Sequence, residues 1–176
     1  MEEYLDLYDR QGRPLHRVLR RGDPAPEGAF WRVCDIWVMN TEGKLLIQRR
    51  ADTRPTHPGQ WASTGGAIQH GESAEAGCLR EAREELGVRL DPRHGHMLFE
   101  YVSTHSIHAV WLFLQDLPLS ELRLQEEEVS DARYATMDEI LRMAQAGQFV
   151  PFGYLHQLAQ MLPLLHRAYG KEDEAC

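Results

Sequence analysis

The sequence predicts an α/β fold in which a mixed β-sheet carries helices on both faces and follows an N-terminal β-hairpin. Three features lead there. Runs that read as strands occur over 31–39, 44–48, 97–103, 107–114 and 129–135. An amphipathic segment over 74–86 interrupts them. Two further helical segments follow the last run, so both faces of a sheet can be covered. At 176 residues, 43% hydrophobic and 26% charged, the chain has the make-up of a globular protein with room for a substantial core. We expect one domain over residues 1–170, with hairpin and loop over 1–29 and a polar tail over 171–176.

Each element has a local reason. Residues 4–8 alternate in polarity, Asp9-Arg10-Gln11-Gly12 reads as a turn, and a short partner strand is expected around 16–19. Residues 21–28 hold too much Pro and Gly for a regular element. The run over 31–39 meets the turn Asn40-Thr41-Glu42-Gly43 and returns over 44–48. Pro55 and Pro58 make 51–60 a loop, which leads into a short β-rich run over 61–63. For the helix that follows, Ser73 can serve as N-cap, Glu75 complements the dipole, and Gly87 ends it in the left-handed conformation. Strands over 97–103 and 107–114 leave His105 in the turn between them. Thr136-Met137-Asp138-Glu139 has the spacing of a capping box for a helix through about Ala146. Residues 152–169 read as a final helix that Pro163 interrupts. Trp31, Trp37, Trp61 and Trp111 fall in strands, where core packing is the ordinary role.

The chemistry concentrates in the stretch GGAIQHGESAEAGCLREAREELGV, from Gly65 to Val88. At about 100° per residue, Glu81, Glu84 and Glu85 share one arc, while Leu79, Ala82 and Leu86 cluster roughly 140° away. A surface helix docked on a core, with its other face solvated, explains the apolar cluster. It does not explain like charges four residues apart, Glu81 and Glu85, which destabilise an isolated helix by a few tenths of a kcal/mol. Arg80, four before Glu84, offers partial relief. Clustered carboxylates suit a hard divalent cation, which takes oxygen ligands. Gly65-Gly66 has the backbone freedom to turn a carbonyl towards the same ion.

Gly66, then Glu72 after five residues, then Arg80-Glu81-Ala82-Arg83-Glu84-Glu85-Leu86-Gly87-Val88 after seven more, resembles the complete Nudix box. The resemblance implies an α/β/α sandwich. It also implies hydrolysis of a diphosphate bond linked to an organic moiety X, with Mg²⁺, or alternatively Mn²⁺, stabilising the incoming and leaving oxygens. Glu84 and Glu85 would then be metal ligands, and Glu81 a further ligand or the base that orients water. The Gly65 carbonyl would be another ligand. Arg80 would hold Glu84 in place, and Glu72 would secure the loop.

Several residues outside the box are candidates. The general base could come from Glu126, Glu127 or Glu128, whose ordinary role is a solvated acidic loop. Arg49 or Arg50 could bind a substrate phosphate through the guanidinium fork, and strand alternation lets one of the two face the site. His70, His105 and His108 lack a metal-ligand pattern and read as loop or surface residues. Cys34, Cys78 and Cys176 are widely spaced and read as reduced thiols.

With 19 basic against 27 acidic residues the formal charge is −8, which argues against a nucleic-acid polymer and leaves a small diphosphate substrate compatible. No segment approaches a membrane span or a leader, so we expect a cytoplasmic protein without a membrane partner. A homodimer through the N-terminal hairpin or the last helix is plausible. A second resemblance runs from DLYDRQGRPLHRVLRRGD through WRVCDIWVMN, KLLIQRR and HPGQWASTGG. These stretches are similar to the Nudix branch of type I isopentenyl diphosphate isomerases. Gly65 stands where that branch carries a catalytic cysteine and Ala67 where it carries a histidine ligand. The expected substrate is therefore a nucleoside diphosphate linked to X, with isopentenyl diphosphate isomerisation or isoprenoid diphosphate hydrolysis as the alternative.

Overall fold

The computed structural model describes residues 2–169, so the tail expected over 171–176 lies outside the described residues. β1 (Tyr4–Tyr8) and β2 (Pro14–Arg20) pair antiparallel as the N-terminal hairpin. Alternation along β1 buries Leu5 and Leu7, whereas β2 is largely exposed on both faces, Leu15 and Val18 included. Tyr8 and Phe30 exchange backbone hydrogen bonds at 2.8 Å, which ties the hairpin to the start of the main sheet.

β3 (Trp31–Met39) runs through the middle of that sheet. It pairs in parallel with β8 (Ser106–Leu114) along its whole length, and β8 pairs antiparallel with β7 (Gly95–Val102). On its other side β3 divides its partners. Residues 33–36 pair with β6 (Thr64–Ala67), whereas Val38 and Met39 pair with β4 (Leu45–Arg50). β4 then leaves β3 to bond β5 (Trp61–Ala62) and β9 (Val129–Ala135). The divergence of β4 from β6 opens a wedge in the sheet.

Three helices cover the two faces: α1 (Ala74–Leu86), α2 (Met137–Gln145) and α3 (Leu155–Tyr169). Successive side chains of a strand point to opposite faces, and β3 shows the result. Cys34, Ile36 and Val38 pack with Cys78, Ala82 and Leu86 of α1. Trp37 and Met39 pack with Ile140 of α2 and with Leu155, Leu158 and Leu162 of α3. The architecture is the expected α/β/α sandwich. Ser73 Oγ accepts from the Ala76 N–H at 3.1 Å, and Gly87 closes α1 with φ 70°. Thr136 and Glu139 form a reciprocal capping box on α2. Caps of this kind stabilise a helix by about 1 kcal/mol each.

Some boundaries differ from the sequence reading. The returning strand continues to Arg50 because β9 pairs with it from Leu45 to Arg50. The glycine-rich residues of β6 form a strand because β3 supplies their ladder partners. The last helix begins at Leu155 and continues through Pro163. Proline costs that helix one hydrogen bond, but Leu158 and Leu162 are buried in the core and hold the segment in register. Cys34 and Cys78 are buried free thiols. Among the described residues no helix is long and apolar enough to cross a membrane.

Candidate active site

The Glu85 carboxylate enters the wedge between β4 and β6. Its Oε2 accepts from Gln48 Nε2 of β4 at 2.8 Å and from the Gly65 N–H of β6 at 3.2 Å. Glu85 is 4% exposed and Glu81 7%. The buried face of α1 includes Cys78, Glu81, Ala82, Glu85 and Leu86. Two of the three clustered glutamates therefore share the inward face with apolar residues, and only Glu84, with 47% of its side chain exposed, faces outward. The angular reading of the sequence placed all three away from the apolar face, because it could not see that the helix meets the sheet at a seam.

Two glycines make this approach possible. A Cβ on Gly66 would stand 2.3 Å from Glu81 Oε1, and one on Gly65 would stand 2.1 Å from the Cys34 carbonyl oxygen. Both lie far inside contact distance, so the bare backbone of β6 is the floor on which the carboxylates rest. Burial pushes the Glu85 carboxyl up to about 8, the nearby Glu81 charge adds to this, and the bonds from Gln48 and Gly65 oppose it only in part. Burial also raises the Glu81 carboxyl, against the pull of Arg80. The side-chain oxygen of Gln48 is buried and finds no hydrogen-bond partner among the described residues.

Arg80 holds the cluster together. Its Nη1 donates to Glu81 Oε1 at 2.7 Å and to Glu84 Oε2 at 3.0 Å. Nε and Nη2 each donate to Glu72 at 3.0 Å, and Nη2 also reaches the Ala67 carbonyl at 2.9 Å. Burial would lift the Glu72 carboxyl, but Arg80 and the Gln69 N–H outweigh it and hold the group below the ordinary range. The loop is braced a second time from the hairpin. Asp6 bonds His70 Nδ1 at 2.8 Å and accepts from the Gly71 N–H at 2.9 Å.

The structure separates the two candidate arginines. Arg50 lies at a register shift in the β4–β9 ladder, interacts electrostatically with Glu85 and Glu128, and donates to the Thr56 carbonyl at 3.0 Å and to Thr56 Oγ1 at 3.2 Å. Arg49 instead bonds the Gly59 carbonyl at 3.0 Å and Asp52 at 3.4 Å. Of the acidic triplet, Glu126 and Glu127 are exposed. Glu128 turns inward, pairs with Arg54 at 2.6 Å and contributes to the rise of Glu85. Arg21, on the loop after β2, pairs with Glu3 and acts electrostatically on Glu81. His105 is exposed in the turn between β7 and β8.

His108 departs most from the sequence reading, because it belongs to a polar network on the other face of the sheet. Its Nδ1 lies 2.8 Å from Asp35 Oδ2 and its Nε2 lies 2.9 Å from Ser106 Oγ. The Tyr154 hydroxyl donates to the same Asp35 oxygen at 2.8 Å. A cavity of about 380 Å³ opens here, and both Arg50 and Gly65 line it. Asp35 carried one legible signal, a lone carboxylate inside the apolar strand VCDIWV. Gln48, Arg21 and Tyr154 carried none.

A glycine-flanked acidic helix seated in the split of a mixed sheet, with helices on both faces, is the arrangement of a Nudix-type hydrolase. The model of the NUDIX domain matches residues 30–154, and the chain belongs to that family. It is 33% identical over 159 residues to an uncharacterised Nudix hydrolase of Listeria monocytogenes, covering 90% of this chain and 94% of the relative. It is 28% identical over 147 residues to an isopentenyl-diphosphate Delta-isomerase of Salmonella arizonae, covering 80% and 81%. A crystal structure from Deinococcus radiodurans superposes with a TM-score of 0.73 at 27% identity, covering 91% of this chain and 99% of that one.

Proposed function

We propose that this Nudix hydrolase cleaves the diphosphate of a nucleoside diphosphate linked to a further moiety X, by divalent-metal-dependent attack of water on phosphorus. The observation that carries the reading is the pair of buried carboxylates, Glu81 and Glu85, both raised by burial. A hard cation would relieve that strain, and an oxygen donor set of Glu81, Glu84, Glu85 and the Gly65 carbonyl suits Mg²⁺ or Mn²⁺. Among the described residues no three His, Cys, Asp or Glu side chains stand together as a ready cage, since Arg80 draws Glu81 and Glu84 to itself. This accords with Mg²⁺, which uses few carboxylates and completes its shell with waters and substrate phosphates.

When bound, the cation supplies charge neutralisation at the attacking and leaving oxygens. The chain supplies the rest. Arg80 orients Glu81 and Glu84 for their task. Arg50, at the edge of both the carboxylates and the cavity, is the arginine placed to meet a phosphate. Glu81 and the inward-turned Glu128 are the candidates for taking the proton from water, and each lies where it acts on Glu85.

The isomerase reading loses support at two positions. The Cβ of a cysteine at Gly65 would collide with the Cys34 carbonyl oxygen, and Ala67 has no group that can ligate a metal. The test is product identification by mass spectrometry across a panel of diphosphates, isopentenyl diphosphate included, with Mg²⁺ and a Glu84→Gln control. Cleavage at the diphosphate that is lost in the variant is the expected result. Rearranged isopentenyl diphosphate without phosphate release would overturn the reading.

A further inference from the structure

The cavity beside the acidic helix presents a carboxylate that the fold holds but does not use up. Asp35 is 4% exposed, yet it lines the cavity. Both of its side-chain hydrogen bonds, from Tyr154 and His108, fall on Oδ2. Neither of these bonds engages Oδ1. Asp35 therefore offers an acceptor on the cavity wall to a donor carried by a ligand.

The network around it fixes its orientation. Burial keeps the Tyr154 phenol protonated well above its ordinary range, so its hydroxyl donates to Asp35 and accepts from Trp37 Nε1 at 3.4 Å. Because Asp35 Oδ2 is an acceptor, His108 Nδ1 donates to it, and Nε2 lies 2.9 Å from Ser106 Oγ. Tyr154 and His108 both donate towards Asp35. The walls are aromatic: Phe152 and Tyr154 stack with centroids 5.3 Å apart, and Tyr101 meets both Tyr154 and His108 edge-on. A volume of about 380 Å³ falls within the range of small-molecule sites, roughly 300–1,000 Å³.

Building on the diphosphatase reading, we propose that this cavity seats the organic moiety next to the diphosphate and that Asp35 selects it, by accepting a hydrogen bond from a hydroxyl or amino group on a ring. Arg50 and Gly65 line the cavity and also border the carboxylate cluster, so a diphosphate at the cluster leads its substituent into the pocket. The class selected is a nucleoside or sugar ring that carries a donor. An acyclic hydrocarbon diphosphate brings Asp35 no donor and is disfavoured. Tyr154 and His108 act as positioning residues.

The test compares kcat/KM with Mg²⁺ for ADP, IDP, 2′,3′-dideoxy-ADP and isopentenyl diphosphate, in the wild type and in Asp35→Asn. IDP lacks the exocyclic amine, the dideoxy compound lacks the ribose hydroxyls, and isopentenyl diphosphate lacks both. We expect the ADP to isopentenyl diphosphate ratio to fall about 100-fold in Asp35→Asn. The analogue that the wild type disfavours and the variant no longer distinguishes from ADP identifies the donor. Should Asp35→Asn fail to fold, Tyr154→Phe removes one bond from the carboxylate, and the same ratio should fall about tenfold. An equal loss on all four compounds would mean that Asp35 serves only the fold and would overturn the proposal. If none is hydrolysed, the hydrolase reading fails separately, and calorimetry with AMP without metal decides this one. At least tenfold weaker binding to the variant supports it, and unchanged binding overturns it.

Discussion

The two faces of the sheet treat buried charge in opposite ways. On the α1 face, Glu81 and Glu85 are desolvated beside each other, and their carboxyls are raised, Glu85 to about 8. On the α3 face, Asp35 is buried to a similar degree but receives donors from Tyr154 and His108. The contrast separates two tasks. Carboxylates that burial leaves only partly compensated can be completed by a cation, whereas a carboxylate fixed by hydrogen-bond donors is suited to recognition. The second face also carries an aromatic cluster of Trp37, Phe149, Phe152 and Tyr154.

Replacing Glu85 should break the comparison most completely. Glu85→Gln keeps the shape and removes the charge, and we expect hydrolysis to fall by roughly 10³-fold or more in steady-state assays. The same change should stabilise the metal-free protein at alkaline pH. The folded value of Glu85, about 8, lies above its ordinary 4.5. Between those values the folded state keeps a proton that the unfolded state releases, so metal-free stability falls as pH rises through the window, on the order of a few kcal/mol from this group. Denaturant melts of the wild type in chelator at pH 5 and pH 8.5 should show the loss, and Glu85→Gln should largely abolish it.

Gly66→Ala tests the floor under the carboxylates. The new methyl must displace Glu81, and a drop of about 10²-fold in kcat is expected while circular dichroism stays native. Arg80→Lys replaces a guanidinium that bonds three glutamates and a carbonyl by a single ammonium. Metal affinity measured by calorimetry should weaken about tenfold or somewhat more. The smallest effect sharpens the division between the two arginines of β4: Arg50→Ala should raise KM about tenfold, and Arg49→Ala should leave it within about twofold. Equal effects would mean that the strand register does not sort the two arginines.

Much of the fold was legible because its signals are local. The caps Ser73 and Gly87, the Thr136–Glu139 box and the hairpin around Gly12 are short-range chemistry, and each stands where the sequence placed it. Pro163 misled because a local penalty was weighed without the core contacts of Leu158 and Leu162. The acidic box was legible as a motif, but the burial of Glu81 and Glu85 was not. It arises from the divergence of β4 and β6, which no single segment encodes. Gln48 meets Glu85 across 37 positions and Tyr154 meets Asp35 across 119. Pairings of that span leave no periodic trace in a sequence. Asp35 itself could have been singled out, since an unpaired carboxylate in an apolar strand demands a partner.

The most direct test of the central claim is the thermal shift produced by Mg²⁺ at pH 8 in the wild type and in Glu85→Gln. A cation that completes the Glu81 and Glu85 cluster must stabilise the wild type by mass action. It should stabilise Glu85→Gln far less, because the charge it would compensate is gone. Equal shifts in the two proteins, or none in the wild type at saturating Mg²⁺, would contradict the account.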